Sequence, residues 1–383
     1  VTFIKRRIAG CMTGTSLDAL DVALIEIQGT GLELRASVVR CLTHPLGELT
    51  ESLRALAAQE PVPAGRIADL AHRLAALHVH ALRELLGKET VHLIAVHGQT
   101  VFHSPPVSWQ LINPAPIAHA FGAPVVFDLR AADLAAGGQG APITPLPDYL
   151  LLRDPQETRA VVNLGGFASF TLLPAAEAPG GEAVSRALSQ IGGGDICACN
   201  HLLDGVARAV LGRPYDEGGR SAAHGRVLEP LRNELRALLA QQAAQRRSLG
   251  SGDELADWIE RNRNRAAAED LARTVCDALA ATIVEVVSAL ARPVSARGIE
   301  RWLLAGGGVQ NSTLVSALRK YARAPVEATD AHGLPARYRE AAAMAVLGAL
   351  CQDGVPITLP QVTGVPAPAP LAGTWLYPSK SPS

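Results

Sequence analysis

The sequence is poor in aromatic residues, which make up 4% of its 383 positions. That scarcity argues against the stacking platforms with which proteins hold single-stranded nucleic acid or polysaccharide. Neither sign of charge is in excess, with 35 Lys and Arg against 36 Asp and Glu. Non-specific nucleic-acid binding therefore lacks its electrostatic footprint, and no nucleic-acid partner is expected. Six cysteines (Cys11, Cys41, Cys197, Cys199, Cys276 and Cys351) are too few for a disulfide scaffold. Cys197 and Cys199 form a C-x-C, but no second Cys/His pair at metal-like spacing stands beside it, so both read as small loop residues. No apolar run reaches the ~18–20 residues of a membrane helix. The basic start, Val1 to Arg7, leads into Ile8-Ala9-Gly10 without the apolar stretch of a secretory signal. The expectation is a cytoplasmic chain with no membrane partner. With 48% hydrophobic and 19% charged residues it has the composition of a globular protein, and its length suits two or three domains or lobes.

Apolar runs separated by polar turns predict strands at Ile4 to Cys11, Val22 to Ile27, Val91 to Val96 and Pro124 to Phe127. Helices are predicted from about Gly47 to Ala57 and from about Pro63 to Leu86, where Leu70, Leu74 and Leu77 mark a buried face. A second strand–turn–strand unit follows, Ala160 to Leu164 and Ala168 to Leu173 around Gly165-Gly166. A helix-rich stretch runs from Gly225 to Ala291, with Leu271, Val275, Leu279, Ile283 and Val286 on one face. Gln241 to Asp253 reads as a mobile loop, and the tail after Pro378 as disordered. A strand from Arg301 to Ala305 ends in Gly306-Gly307-Gly308, and Glu340 to Leu350 is an Ala-rich helix. The order describes two α/β lobes, each opening with a strand–turn–strand unit, and a cleft between them.

Several stretches carry chemistry. In Gly14-Thr15-Ser16-Leu17-Asp18-Ala19-Leu20-Asp21, a glycine lets backbone amides approach an anion and two hydroxyls add donors. Asp18 suits such a place if Mg²⁺ or water stands between it and a phosphate. The alternative is a hydrogen-bonded hairpin turn. No G-x-x-x-x-G-K-[ST] loop and no G-x-G-x-x-G after a strand is present. Gly165-Gly166 and Gly306 to Gly308 are further glycine turns after apolar strands, able to approach a nucleotide. Asp195, in Gly192-Gly193-Gly194-Asp195, reads either as a general base on a glycine-rich loop or as the N-cap of a helix through Leu202 to Val210. His97, Arg130 and Glu340 are polar groups at element ends, where open α/β sheets place ligand contacts.

Together these stretches resemble the anhydro-N-acetylmuramic acid kinase family, of the sugar kinase/actin/Hsp70 superfamily. The family's M-S-G-T-S-L-D-G-x-D is similar to Met12 to Asp21, and its S-H-G-Q-T to Val96 through Thr100. Its D-F-R and A-A-G-G-Q-G-A-P are matched by Asp128-Leu129-Arg130 and Ala135 to Pro142. N-x-G-G is matched at Asn163 to Gly166, Y-D-x-x-G at Tyr215 to Gly219, and G-G-G-x-x-N at Gly306 to Asn311. The helix-opening E-A is matched by Glu340-Ala341 and a late T-G by Thr363-Gly364.

The resemblance implies a two-lobed actin-like ATPase fold with an interlobe cleft, its lobes spanning 1–128 plus 341–378 and 129–340. It implies an ATP- and Mg²⁺-dependent kinase that opens a 1,6-anhydro amino sugar from cell-wall turnover and phosphorylates O6, working as a homodimer. Asp195 would be the catalytic base. Gly14 to Asp21, Gly165, Gly166 and Gly306 to Gly308 would face ATP, and Asp18 would hold the metal through water. His97, Thr100, Arg130 and Glu340 would face the sugar. One stretch departs from the pattern: the family's G-F-D-T-G-P-G-N is here Gly193-Gly194-Asp195-Ile196-Cys197-Ala198-Cys199-Asn200. If a lost glycine held φ > 0, a cysteine there would cost about 1 kcal/mol. That change leaves two alternatives open, a kinase of another anhydro sugar such as levoglucosan and a non-catalytic nucleotide or sugar sensor.

Overall fold

The structure, a computed structural model, describes residues 5–14, 17–175, 182–245, 249–250 and 252–378. The chain opens with β1 (Lys5–Thr13), β2 (Ala19–Gln28), β3 (Arg35–Pro45), α1 (Leu49–Ala57) and α2 (Ala64–Leu86). Next come β4 (Leu93–Val96), β5 (Gln99–Ser104), β6 (Val107–Leu111), α3 (Ala115–Phe121), β7 (Val125–Phe127), α4 (Ala131–Ala135) and α5 (Pro145–Leu152). The middle holds β8 (Arg159–Leu164), β9 (Phe167–Leu173), α6 (Glu182–Gln190), β10 (Gly192–Ala198), α7 (Asn200–Val206), α8 (Arg220–His224), α9 (Glu229–Ala244), α10 (Ala256–Asn262) and α11 (Ala268–Ala291). The last elements are β11 (Arg301–Ala305), α12 (Ser312–Tyr321), β12 (Val326–Ala328), α13 (Arg339–Gln352), α14 (Pro360–Thr363) and β13 (Thr374–Leu376). The predicted strands and helices appear with their ends slightly shifted. The predicted loop from Gln241 is helical as far as Ala244, and the rest of it lies partly outside the described residues, as does the tail after Pro378.

The chain divides into two compact units. One comprises Val1–Leu152, Pro179–Ser189 and Tyr338–Ser383, the other Arg153–Ala178 and Gln190–Arg337. The first division thus falls after Leu152 rather than after residue 128, for a physical reason. Asp133 accepts the Gly140 N–H at 2.7 Å and the Thr363 hydroxyl at 2.8 Å, and the Arg339 Nε donates to Asp148 at 2.7 Å. Asp133, Asp148 and Arg339 are buried, so α4 and α5 are held to the C-terminal elements of the first unit.

The two units repeat one plan. In the first, β1, β2 and β3 form an antiparallel meander, β4 and β7 add in parallel beside β1, and β13 closes the far edge antiparallel to β7. In the second, β8, β9 and β10 form the meander, and β11 and β12 add in parallel beside β8. Two α/β units that repeat this strand order agree with the two-lobed actin-like fold that the resemblance implies. The second unit's core gathers around α11, whose Leu271, Val275, Leu279 and Ile283 are buried. That helix is long and apolar enough to cross a membrane, contrary to the expectation from apolar run length, yet most of it is buried inside the fold. It is a core helix.

In the first unit α13 lies directly on β1. A Cβ built at Gly10 would stand 2.0 Å from the Ala341 carbonyl oxygen and 2.6 Å from the Ala345 amide nitrogen. These are backbone atoms that cannot rotate away. Gly10→Val is therefore expected to lower the unfolding free energy by at least about 2 kcal/mol, through overpacking. At Gly65, in α2, a Cβ would meet nothing within 4 Å, and Gly65→Ala should raise stability by about 0.4–1 kcal/mol. Urea denaturation of both variants tests the contrast; equal midpoints would show that α13 does not press on β1.

Candidate functional site

The first unit's candidate residues cluster where its strands end. β1 passes into β2 through a turn in which the Leu17 N–H donates to the Gly14 carbonyl at 3.3 Å. Thr15 and Ser16 lie outside the described residues. Leu17 holds φ 54°, a left-handed conformation costing a leucine about 1 kcal/mol, while its side chain enters the core. Asp18 is exposed and accepts the Ala19 N–H at 3.0 Å. Ala19 and Leu20 already belong to β2, and the Leu20 side chain is wholly buried. The Asp21 carboxylate accepts the Thr43 hydroxyl at 2.5 Å, and that hydroxyl lies 3.0 Å from the Tyr338 hydroxyl.

At the end of β4, His97 and Arg130 meet. The Arg130 Nε donates to the His97 Nε2 at 3.0 Å, and a terminal Arg130 nitrogen donates to the Gly140 carbonyl at 2.6 Å. Because Nε2 accepts, the Nδ1 of His97 carries the proton and donates to the Gly98 carbonyl at 2.9 Å. The Thr13 hydroxyl donates to the same carbonyl at 3.1 Å, and the Gln99 amide reaches the Gly14 carbonyl at 3.4 Å. Burial, reinforced by the Arg130 charge, pushes the His97 imidazole down to about 3. His97 is thus a neutral orienter of Arg130. Glu340, in the first turn of α13, has its carboxyl raised by burial, with the Arg339 and Arg130 charges opposing the rise and Asp21 adding to it. The structure therefore brings His97, Arg130, Glu340 and Asp21 into one electrostatic neighbourhood. Thr100 is placed on the β5–β6 hairpin, where its hydroxyl accepts from the Gln110 amide at 3.3 Å.

Sequence reasoning gave Asp128 no role beyond its place in the D-F-R match, and it passed over Tyr338. Asp128 holds φ 52° at the end of β7, and burial raises its carboxyl. Its place in the D-x-R spacing beside half-buried Arg130 was its only signal in the sequence.

In the second unit three turns converge. A Cβ on Gly306, which has φ +83°, would stand 2.7 Å from the Asn163 Oδ1 and 2.8 Å from the Leu164 carbonyl oxygen. One on Gly308 would meet the Leu164 Cβ at 2.7 Å and the Asn200 Oδ1 at 2.9 Å. The Gly165 and Gly166 carbonyls accept the Asn200 and Cys199 amides at 3.0 and 2.9 Å, so they satisfy the start of α7. Among the described residues the Gly307 and Gly308 amides have no hydrogen-bond acceptor. Successive amides of that kind suit an anion or a ribose hydroxyl.

Asp195 lies on neither a loop nor a helix cap. It sits on β10, the edge strand, opposite Ser169, and the ladder bulges between Asp195 and Cys197. Helix α7 starts at Asn200 with Cys199 as its N-cap, too far along the chain for Asp195 to cap it. A bulge on an edge strand re-aims side chains, and such bulges recur beside active sites. The Asp195 Oδ2 accepts the Leu249 N–H at 2.9 Å. Of the two cysteines expected as small loop residues, Cys197 lies on β10, while Cys199 does stand in the connection between β10 and α7. Both are fully buried in the core, and burial raises both thiols, that of Cys199 to about 12. Neither has a positive φ, so the substituted stretch carries no left-handed strain.

The sequence profile of the anhydro-N-acetylmuramic acid kinase family matches residues 6–378. The chain belongs to that family. It is 33% identical to the anhydro-N-acetylmuramic acid kinase of Salinibacter ruber, over 96% of this chain and 95% of that protein. With the kinase of the same name from Bordetella pertussis the identity is 35%, over 98% and 96%. Among solved structures, the Acidaminococcus fermentans (R)-2-hydroxyglutaryl-CoA dehydratase component A aligns at TM-score 0.47 with 12% identity, covering 90% of this chain and 98% of that one. In this family member the residues expected at the sugar are gathered on the first unit. Asp195 and the Gly306 to Gly308 turn belong to the second.

The neutral His97 has a consequence for stability. Folded protein leaves its ring unprotonated down to about 3, while an unfolded chain protonates histidine near pH ~6.5. Between those values the unfolded state binds more protons, so stability present above about pH 6.5 is lost as pH falls. The loss from one such group reaches about 1.4 kcal/mol per pH unit. His97→Gln keeps an acceptor for Arg130 and removes the titration. Urea melts at about pH 7, 6 and 5 should show the variant losing less stability per pH unit than the parent; matching slopes would mean the native ring titrates normally.

Proposed function

We propose that this protein uses ATP to open the 1,6-anhydro ring of 1,6-anhydro-N-acetylmuramic acid and to phosphorylate O6, giving N-acetylmuramic acid 6-phosphate and ADP. The observation that carries the reading is the whole-length family match combined with an aspartate retained at the family's base position, on a bulged edge strand. Water adds to the anomeric carbon as its bond to O6 breaks, and Asp195 takes a proton from that water. The freed O6 attacks the γ-phosphorus, and ADP leaves. Phosphoryl transfer is chiefly positioning and charge stabilisation, so the rest of the machinery holds groups in place.

Roles follow from local chemistry. Of the Gly14 to Asp21 stretch, the part before β2 begins at Ala19 would hold the ATP phosphates through backbone amides and hydroxyls. The Gly307 and Gly308 amides, without an acceptor among the described residues, suit the adenosine side. Arg130, kept oriented by neutral His97, would bind the sugar's carboxylate or hydroxyls, with Glu340 and Thr100 accepting sugar hydroxyls. The hard oxygen donor of exposed Asp18 fits Mg²⁺ held through water, and the ion would neutralise charge on the phosphates. The same membership is the ground for expecting a homodimer that recycles peptidoglycan fragments in the cytoplasm. Cys197 and Cys199 do not count against activity, because they are core residues without left-handed strain.

Pure protein with ATP–Mg²⁺ and 1,6-anhydro-N-acetylmuramic acid should yield ADP and a ring-opened 6-phosphate in equal amounts. Asp195→Asn should reduce turnover by about 10³-fold or more, as loss of a general base does, while leaving ATP affinity unchanged. Normal rates in that variant would remove Asp195 from the base role. Turnover of levoglucosan alone would point to the other anhydro-sugar kinase, and nucleotide binding without ADP release on any sugar to a sensor.

A further inference from the structure

Away from the residues above, the first unit gathers two histidines and a glutamate on its surface. His44 comes from β3, and His80 and Glu84 from α2. One donor atom from each lies within 4.8 Å of the other two. His80 and Glu84 stand one helical turn apart and are exposed, while His44 is half-buried. The two imidazole rings meet edge to face with centroids 4.9 Å apart.

We propose that His44, His80 and Glu84 form a zinc-binding site that clips β3 to α2. The donor set, two imidazole nitrogens and one carboxylate oxygen, is one that zinc takes, with the remaining position filled by water. A second feature points the same way. His44 Nδ1 lies 3.0 Å from the Pro45 carbonyl, and since a carbonyl only accepts, Nδ1 bears the proton. With the proton held there, Nε2 is the ring nitrogen left to meet a metal, as the outer partner of a metal-binding histidine leaves it. Zinc bonds of about 2.0–2.1 Å place tetrahedral donors about 3.3 Å apart. The exposed His80 and Glu84 side chains can supply that contraction by rotation. A metal here would brace β3 beside Thr43, the residue before His44, whose hydroxyl donates to the Asp21 carboxylate. The inference is independent of the kinase reading, since its test measures metal and stability alone.

The test uses the full-length protein, dialysed against a chelator and titrated with Co²⁺ as a visible probe, then with Zn²⁺. The expected result is a d–d absorption band saturating at one ion per chain, without a thiolate charge-transfer band, and displaced by zinc. The thermal midpoint should rise by a few degrees with zinc present, because the ion binds the native state. His80→Ala and Glu84→Gln should each weaken binding at least about tenfold, with the far-ultraviolet circular dichroism of the parent retained. Three outcomes would overturn the site: no band at about 100 µM Co²⁺, a band with thiolate character, or unchanged affinity in His80→Ala.

Discussion

The first unit depends on how closely one helix can approach one strand. α13 meets β1 at Gly10, where its own backbone fills the space a side chain would need, and Gly348 lets the same helix settle on Ala95 and Leu93. That approach brings Glu340, in the helix's first turn, into the electrostatic reach of Asp21 and Arg130. Arg339 is drawn into the interior at the same point, where it is buried with Asp148. Breaking such a pair by removing one partner leaves an uncompensated buried charge, which is strongly destabilising. Packing and electrostatics thus fix the same helix end.

The second unit solves a comparable problem with backbone rather than with charge. The turn after β8 and the turn after β11 press against the start of α7 so tightly that three glycines have no room for a Cβ. The Asn200 side chain ties this junction by donating to the Leu164 carbonyl at 3.0 Å. A further contact extends it: Thr313 and Ser312 hydroxyls donate to the Gly219 and Gly218 carbonyls at 2.7 and 2.8 Å. The family's separate N-x-G-G, Y-D-x-x-G and G-G-G-x-x-N stretches are therefore parts of one junction. Much of their glycine content answers to packing. Among the described residues, what this packing leaves without an acceptor is the pair of Gly307 and Gly308 amides.

The substituted stretch after Asp195 shows why a motif difference needs structure to be weighed. Replacing glycine by cysteine matters where φ is positive or space is absent. Here the backbone runs as an edge strand with a bulge, and the two thiols fill core volume as small hydrophobes do. The change is absorbed by the interior while the carboxylate keeps its place on the strand.

By itself the sequence determined the alternation of apolar runs and glycine turns, hence the strand–turn–strand openings, the long helices with leucine faces and the ordered motifs that declare the family. Those signals are local, set by side-chain periodicity and turn chemistry, so they survive without tertiary context. Only the tertiary structure decided that the first unit extends to Leu152, that Asp195 lies on a bulged strand, and that a 24-residue apolar helix is a core element. It also decided that His97 is neutral and serves Arg130. Each of these turns on partners distant in sequence: a buried carboxylate's donors, a neighbouring strand's register, a guanidinium's reach. Periodicity reports which face of an element is apolar, whereas only packing reports what that face, or the charge at its end, comes to rest against.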